Sequence, residues 1–377
     1  MKRAEFITEH RRGCWSMTDL CEAFGISRKT GYEMLARYRK HGLEALSDRS
    51  RAPHRHPNKT PDDVAARIVA VRQDHPTWGV KKVLAWLAKR EPVRIWPARS
   101  TAERILGEAD LVQVRRRRRR PVRVARTVPV AAKPNNLWCQ DYKGWFRLGN
   151  GQRCDPYTLT DAASRMALNC TALLSPVLED VQQCLIAAFK EYGMPDAMLS
   201  DNGPPFGSTS ALGGLTRLGV WLLRLGVTPH FIDPGRPEQN GQHERFHFTL
   251  QEATSSPPRR TPRAQQMAFN RFRSEFNYER PHEALGMATP GEIYQPSSRS
   301  YPARLPEWVY PVDFATRQVR MCGTIKWHNQ PVRIGLPFSG ELIGLESVAD
   351  GVIRVYLGTL PLGHFHEGSR KVIPIPR

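Results

Sequence analysis

The sequence predicts a multidomain protein. All-α helix-turn-helix units come first, then an α/β core with a mixed sheet and flanking helices, then a small β-barrel domain. Three observations carry this. Apolar residues recur at helical spacing through the first hundred residues, strand-like runs alternate with helices from Asn136, and short alternating runs follow Pro302. Charge divides the same way: residues 1–130 hold 30 Lys and Arg against 14 Asp and Glu, and the remaining 247 residues hold 26 against 22. The 377 residues, 40% of them apolar, suffice for roughly two to four domains with real cores.

Most of the net charge of +20 therefore sits in the first third of the chain. A basic region joined to a near-neutral one marks a polyanion-binding segment. No run of about twenty apolar residues exists, so a transmembrane helix is excluded. The basic N-terminus lacks the apolar stretch of a secretory signal, so secretion is not expected. The seven cysteines, at 14, 21, 139, 154, 170, 184 and 322, are dispersed without a CxxC pair. That pattern points to reduced thiols in a cytoplasmic setting and away from a zinc finger.

Residues 1–50 read as the first helical unit. Met17–Phe24 is a short helix, Gly25 a turn, and Ser27 the N-cap of a helix over Arg28–Lys40. That second helix opens with Arg28, Lys29 and Thr30, the polar and basic first turn that a recognition helix sends into the major groove. Asp48–Lys59, rich in Arg, His and Pro, reads as a linker.

A second unit spans 60–112. Thr60 caps a helix with Pro61 first, Asp62 and Asp63 in its first turn, and Val64, Ile68 and Val71 on its apolar face. His75–Gly79 breaks it, Val80–Leu87 forms the next helix, and Pro97–Ala102 caps a third that runs to Leu106. Arg99, Ser100 and Thr101 are DNA-contact candidates at that third start. Residues 113–132 form an arginine-rich linker: Arg115, Arg116, Arg117, Arg118, Arg119 and Arg120 are consecutive, and Arg123 and Arg126 extend them. So dense a like charge reads as a segment that follows phosphates or lies in a minor groove, with a localisation signal or a merely solvated linker as the alternatives.

Residues 133–296 form the core. Leu137–Leu148 and Tyr157–Ala162 read as a hairpin about Gly149-Asn150-Gly151, with Arg165–Leu174 as a third strand. Val177–Tyr192 is a helix, Ala197–Ser200 a strand, Leu215–Leu225 a helix and Thr228–Ile232 a strand. A loop then enters a helix near Pro237, with Phe246, Leu250 and Ala253 on its apolar face. Ala264–Tyr278 is another long helix. Residues 303–377 alternate in short runs, Gln318–Met321, Thr324–Trp327, Gln330–Ile334, Gly344–Val348 and Val352–Leu357, as small barrels do.

Three acids stand out in this core: Asp141 in Trp138-Cys139-Gln140-Asp141, Asp201 in Ser200-Asp201-Asn202-Gly203, and Glu244 in Asn240-Gly241-Gln242-His243-Glu244-Arg245. Carboxylates from separate elements can hold two divalent cations about 4 Å apart, the arrangement that activates phosphodiester displacement. In this order, each within its own motif, they resemble the D,D,E core of insertion-sequence transposases and retroviral-type integrases. The resemblance covers roughly residues 130–295 and implies an RNase H-like fold. The gap between Asp201 and Glu244 is longer than the family's usual spacing, and Ser208–Gly214 is expected to absorb the excess as a surface loop.

The resemblance also implies an activity: Mg2+-dependent cleavage at transposon ends, then transfer of the freed 3′-hydroxyl into target DNA. Asp141, Asp201 and Glu244 would be catalytic and would hold two Mg2+ ions, with Mn2+ able to substitute. The partners implied are double-stranded DNA, as transposon ends and target, and further copies of the chain, as a dimer or larger oligomer on DNA. No membrane is implied, and the setting is cytoplasmic and nucleoid-associated, in a prokaryote. Two rivals are a catalytically silent DNA-binding regulator, against which the three acids count, and an RNase H-type nuclease, which needs no sequence-reading modules.

Three residues near these acids are expected to act otherwise. Asp161 matches no motif acid and reads as structural. His243 and His247 read as packing or phosphate contacts rather than acid–base groups. Glu238, six residues before Glu244 on what reads as one helix, points about 120° away from it, and its place in the first turn suits the helix dipole. Gly241 reads as allowing close approach to DNA or to the sheet.

Overall fold

In a computed structural model, which describes residues 2–48, 59–112, 131–233 and 235–375, the chain divides into two compact units, Met1–Pro61 and Asp62–Arg377. Arg115–Arg120 lie outside the described residues. The first unit is three helices, α1 (Lys2–Arg12), α2 (Met17–Ala23) and α3 (Arg28–His41). The sequence pattern had not disclosed α1, whose Phe6 and Ile7 are buried against Leu20, Cys21, Met34 and Leu35. Ser27 caps α3 as expected, accepting from Thr30 N. A Cβ at Gly31 would lie 2.6 Å from Cys21 Sγ, so α3 can approach α2 this closely only with glycine there.

The second unit begins with α4 (Asp62–Asp74), α5 (Val80–Arg90) and α6 (Arg99–Glu108), packed about Ile68, Trp78, Val83, Leu87 and Leu106. The N-cap of α6 is Ala98, whose methyl side chain cannot accept a hydrogen bond, so the helix start has no side-chain cap. Next come strands β1 (Leu137–Tyr142), β2 (Phe146–Arg147), β3 (Arg153–Asp161) and β4 (Ala167–Leu173), helix α7 (Leu178–Tyr192) and β5 (Ala197–Ser200). Helix α8 (Arg217–Arg224), β6 (Thr228–Phe231), α9 (Gly241–Thr254), α10 (Pro262–Tyr278) and the single turn α11 (Pro290–Ile293) complete the core. The expected strand over Leu137–Leu148 is broken at Lys143-Gly144-Trp145 into β1 and β2.

The sheet runs β4-β3-β1-β5-β6, with β2 pairing the start of β3. β3 is antiparallel to β1 and to β4, while β1, β5 and β6 are parallel, so the sheet is mixed. Strand alternation sends Trp138, Tyr157, Leu159 and Met198 to one face, against Val181, Leu185 and Phe189 of α7 and Leu218 and Leu222 of α8. The other face is covered by α9 and α10, through Phe246, Leu250, Phe269, Phe272 and Phe276. Ala253 does not belong to that face: it is exposed, and Thr254 is buried instead. The core tail folds back on the sheet, where Asn277 donates to the Ala167 carbonyl and accepts from its N–H, at 2.9 and 2.8 Å.

The C-terminal part holds β7 (Ala315–Gln318), β8 (Thr324–Trp327), β9 (Gln330–Arg333), β10 (Leu342–Ala349), β11 (Val352–Leu357), β12 (Leu360–His366) and β13 (Ile373–Pro374). Among the described residues the strands form a five-stranded antiparallel sheet, β13-β12-β11-β10-β7, and a β8–β9 hairpin that meets the segment before β13 through a single bridge, Arg333 to Lys371; the strand ladders do not close into a barrel. β12 and β13 escaped the sequence pattern. Ile325 and Val332 of the hairpin share one core with Ile343, Val355 and Phe365 of the sheet. Leu215 and Val220 belong to that core too, and Leu212 packs on it. The segment expected to be a surface loop, Ser208–Gly214, is thus fastened at its end: Leu212–Gly214 is a 3₁₀ turn against β12.

Candidate active site

The register of the parallel pair places two of the acids. Leu137 pairs with Ala197 and Cys139 with Leu199, so the same register carried two residues further sets Asp141 beside Asp201. Adjacent strands run about 4.8 Å apart. Both acids follow the alternation of Leu137, Cys139, Ala197 and Leu199, which cluster on one face. Asp141 lies across from Thr158 in the β1–β3 pair, so Thr158 shares that face. Both acids stand at the C-terminal ends of parallel strands, where open α/β sheets place their sites.

Helix α9 brings the third acid. His243 and His247, one turn apart, reach down to β3. Both Nε2 atoms lie 2.7 Å from Thr158 Oγ1, and His243 Nδ1 lies 2.9 Å from Thr160 Oγ1. Thr158 Oγ1 also donates to the Asp141 carbonyl at 3.1 Å. One assignment satisfies every bond: both Nε2–H groups donate to Thr158, and Thr160 donates to His243 Nδ1. Burial keeps both rings neutral; it lowers His247 to about 3, helped by Lys143, and His243 well below the usual range, helped by His247. The histidines are therefore anchors that tie α9 to the strand backbone carrying Asp141. Their partners Thr158 and Thr160 were not singled out from sequence, although alternate threonines on a buried strand facing a His-x-x-x-His helix are a readable signal.

Glu244 is exposed at the start of α9, while Asp141 and Asp201 are half-buried. Asp141 senses the other two acids. Burial, then the charge of Asp201 and that of Glu244, raises the Asp141 carboxyl to about 7 against a bond from the Tyr142 backbone. Burial also raises Asp201, offset by the Gly203 N–H, which donates to Oδ1 at 3.2 Å. A Cβ at Gly203 would sit 3.2 Å from Asp201 Oδ2, so a side chain there would crowd the carboxylate.

Glu238 and Glu244 do not share a helix. Pro237–Asn240 is a separate 3₁₀ turn, and α9 begins only at Gly241, which puts Glu244 in its first turn rather than two turns in. The break follows from Gln239, whose amide donates to Asp233 Oδ2 at 2.6 Å and accepts from Asp233 N–H at 2.7 Å, tying the turn to the preceding loop. A Cβ at Gly241 would meet nothing within 4 Å, so the expected close approach to the sheet is absent. Asp161 points away from the acids. It is buried and accepts from Asn135 N, Ser164 N and Ser164 Oγ at 2.6–2.7 Å, holding the turn after β3.

All three acids offer hard oxygen donors, and burial with the added charges of Asp201 and Glu244 disfavours the charged Asp141 carboxyl, a cost that a divalent cation would relieve; the donor chemistry fits such an ion. Among the described residues, no three His, Cys, Asp or Glu are already drawn together as a ligand cage. The other expected contacts lie elsewhere. Arg28, Lys29 and Thr30 are exposed on the first turn of α3. Arg99 and Ser100 are exposed at the start of α6, Thr101 is half-buried, and Arg99 pairs with Glu103 at 2.7 Å.

Comparison with known proteins sorts the chain in the same order. Residues 2–54 match a helix-turn-helix domain, 30–106 a homeodomain-like domain, and 131–237 and 225–290 two models of the integrase core domain. The insertion element IS407 uncharacterized 31.7 kDa protein of Burkholderia multivorans is 28% identical over 239 residues, 63% of this chain and 82% of that protein. The insertion element IS476 uncharacterized 39.2 kDa protein of Xanthomonas euvesicatoria is 26% identical over 253 residues, 66% of this chain and 70% of that protein. Among solved structures, the HTLV-2 integrase catalytic core domain in complex with magnesium matches 44% of this chain and all of its own, at 14% identity and a TM-score of 0.35.

Proposed function

Because the chain belongs to the insertion-sequence transposases with an integrase-like core and N-terminal helix-turn-helix units, we propose that Asp141, Asp201 and Glu244 form its catalytic, metal-holding set. The protein is a DNA transposase, a polynucleotidyl transferase. The observation that supports the site is the coupling of the three acids: two at neighbouring parallel strand ends, and a third whose charge reaches Asp141.

A pair of Mg2+ ions, or Mn2+ in their place, would supply Lewis-acid activation of the attacking and leaving oxygens. The chain's own residues do the positioning. Thr158 fixes the Asp141 backbone, the Gly203 N–H orients Asp201, and His243 and His247 hold α9 so that Glu244 faces the strand ends. Burial, then the charges of Asp201 and Glu244, raise Asp141 to about 7, and a bound cation would favour its ionised form. With that set the enzyme hydrolyses the phosphodiester at each transposon end and then directs the 3′-hydroxyl to a phosphate of target DNA.

Around this site we assign the flanking parts. The units at 1–50 and 60–112 read end DNA through Arg28, Lys29 and Thr30 and through Arg99, Ser100 and Thr101. The run Arg115–Arg120 in the 113–132 linker follows phosphates. The part at 303–377, where a hairpin and a sheet share one core, is read as an SH3-like unit. Two ends are cut and joined together, so the working form is a dimer or larger on DNA, in the cytoplasm at the nucleoid. The test is to incubate the protein with Mg2+ and a library of end sequences and to sequence cleaved and joined products. Metal-dependent cleavage at defined ends, absent in Asp201→Asn, is expected. Products that Asp201→Asn makes equally well would refute the assignment.

A further inference from the structure

A cavity of about 530 Å³ opens where the helices of 62–112 meet α9 and the tail of the core. Lys82, Arg165, Arg245 and Arg280 line it against Glu252 and Glu283, a surplus of two positive charges. Glu283 is drawn towards Lys81 at 2.9 Å. Arg280 Nε and His282 Nε2 are buried there without a hydrogen-bond partner. Burial, Arg280 and Arg245 together lower Lys82 to about 8, with Glu283 opposing. Half-buried cations gathered in one cavity, with buried nitrogen atoms that lack a hydrogen-bond partner, carry a cost that a bound anion would relieve.

Three further features agree on what that ligand is. The N-terminus of α5 opens on the cavity through Gly79, which provides no side-chain cap, so its free backbone N–H groups favour an anion. Phe248, 48% exposed, stands on the wall and offers a face on which a base can stack. His282 is held by a bond to the Phe276 backbone, leaving Nε2 to accept from a sugar hydroxyl or a protonated phosphate.

We propose that this cavity is a phosphate pocket in which Lys82, Arg245 and Arg280 grip the phosphoryl group of a nucleotide, whether within a DNA strand or free in solution. The DNA source rests on the transposase reading above; the phosphate chemistry does not. A DNA phosphate held here would be gripped by the helix unit and, through Arg245, by the neighbour of Glu244 on α9. Bound DNA would then register the second reading unit against the catalytic helix.

The full-length protein is titrated with inorganic phosphate and with thymidine 5′-monophosphate, against chloride at matched ionic strength, while its melting temperature is read. Its affinity for a random-sequence duplex is measured as a function of salt. Lys82→Gln and Arg245→Gln, both outside the packed cores, serve as variants. For a DNA phosphate, each variant lowers the slope of log affinity against log salt by about 0.9. For a free nucleotide, each variant abolishes a phosphate-specific rise in melting temperature and leaves the slope alone. The proposal is overturned by a rise that survives in both variants, or by no rise in the wild type together with an unchanged slope. Glu244→Gln loses cleavage but keeps the phosphate response, so failure of the catalytic reading shows itself separately.

Discussion

Glu244 and Arg245 are neighbours on α9, about 100° apart around its axis, and they serve two sites of opposite charge. The acidic one gathers Asp141 and Asp201 at parallel strand ends, where burial first, and then the charges of Asp201 and Glu244, lift Asp141 to about 7. The basic one gathers Lys82 and Arg280, and its own repulsion helps to lower Lys82 to about 8. On the readings proposed above, each charge excess is answered from outside the chain, by a cation in one case and by a phosphate in the other. The acids are placed at the ends of two short apolar strands that pair side by side, each within its own local sequence motif. The cations are drawn from α5, α9 and the tail at 280–282, separated by some 200 residues, and only the fold assembles them.

The largest expected effect breaks the acidic side alone. Asp141→Asn should cut Mg2+-dependent cleavage by at least about a thousandfold, roughly 4 kcal/mol of barrier, while the phosphate response stays intact. The same variant has a signature in stability. The folded-state carboxyl is raised above its unfolded value, so between the ordinary carboxylate range and about 7 the native state holds a proton that the unfolded chain has released. That contribution to stability is lost as pH rises through the window. In metal-free buffer, Asp141→Asn should therefore gain melting temperature over the wild type, more at pH 8 than at pH 5. A gain that shrinks as pH rises would mean that Asp141 is not held proton-rich.

Next in size is the bond network that both sites lean on. Thr158→Val strands two buried histidine N–H groups and one carbonyl contact, a cost of roughly 2–4 kcal/mol. Denaturant titration should show that loss, and cleavage should fall beyond what the lost stability explains. Unchanged stability would mean that α9 is held by its phenylalanines alone. A smaller effect separates general affinity from both sites. Alanine at Arg115–Arg120 should weaken binding to all duplex sequences about equally and flatten the salt dependence, as measured by anisotropy. Selective loss at one sequence would make that run a reader of bases or groove shape.

The acidic side was the more legible in sequence for physical reasons. Asp141 and Asp201 stand at the ends of short, continuously apolar runs within local motifs, and the sequence bounds of β5, β8 and β11 coincide with the observed strands. Helix α1 was hidden because charged residues surround Phe6 and Ile7, leaving too weak a stripe to read. The break before α9 depends on a Gln239–Asp233 bond that no local propensity reveals. The barrel expectation came from alternation, which specifies strands but not their closure; the edges β7 and β13 remain apart. The basic cavity joins segments far apart in the chain, beyond any windowed pattern.

The central claim is that Glu244, and not Glu238, completes the acid set. Mg2+-dependent cleavage of end DNA by Glu244→Gln and Glu238→Gln, measured side by side, tests it most directly. Glu238 sits in a separate 3₁₀ turn, and its charge is not among those that raise Asp141, whereas that of Glu244 is. Glu244→Gln should keep fold and end binding and lose cleavage and joining. Glu238→Gln should cleave as the wild type does, with stability changed by no more than a few tenths of a kcal/mol. Cleavage retained by Glu244→Gln and lost by Glu238→Gln would contradict the account and move the third acid to the turn before α9.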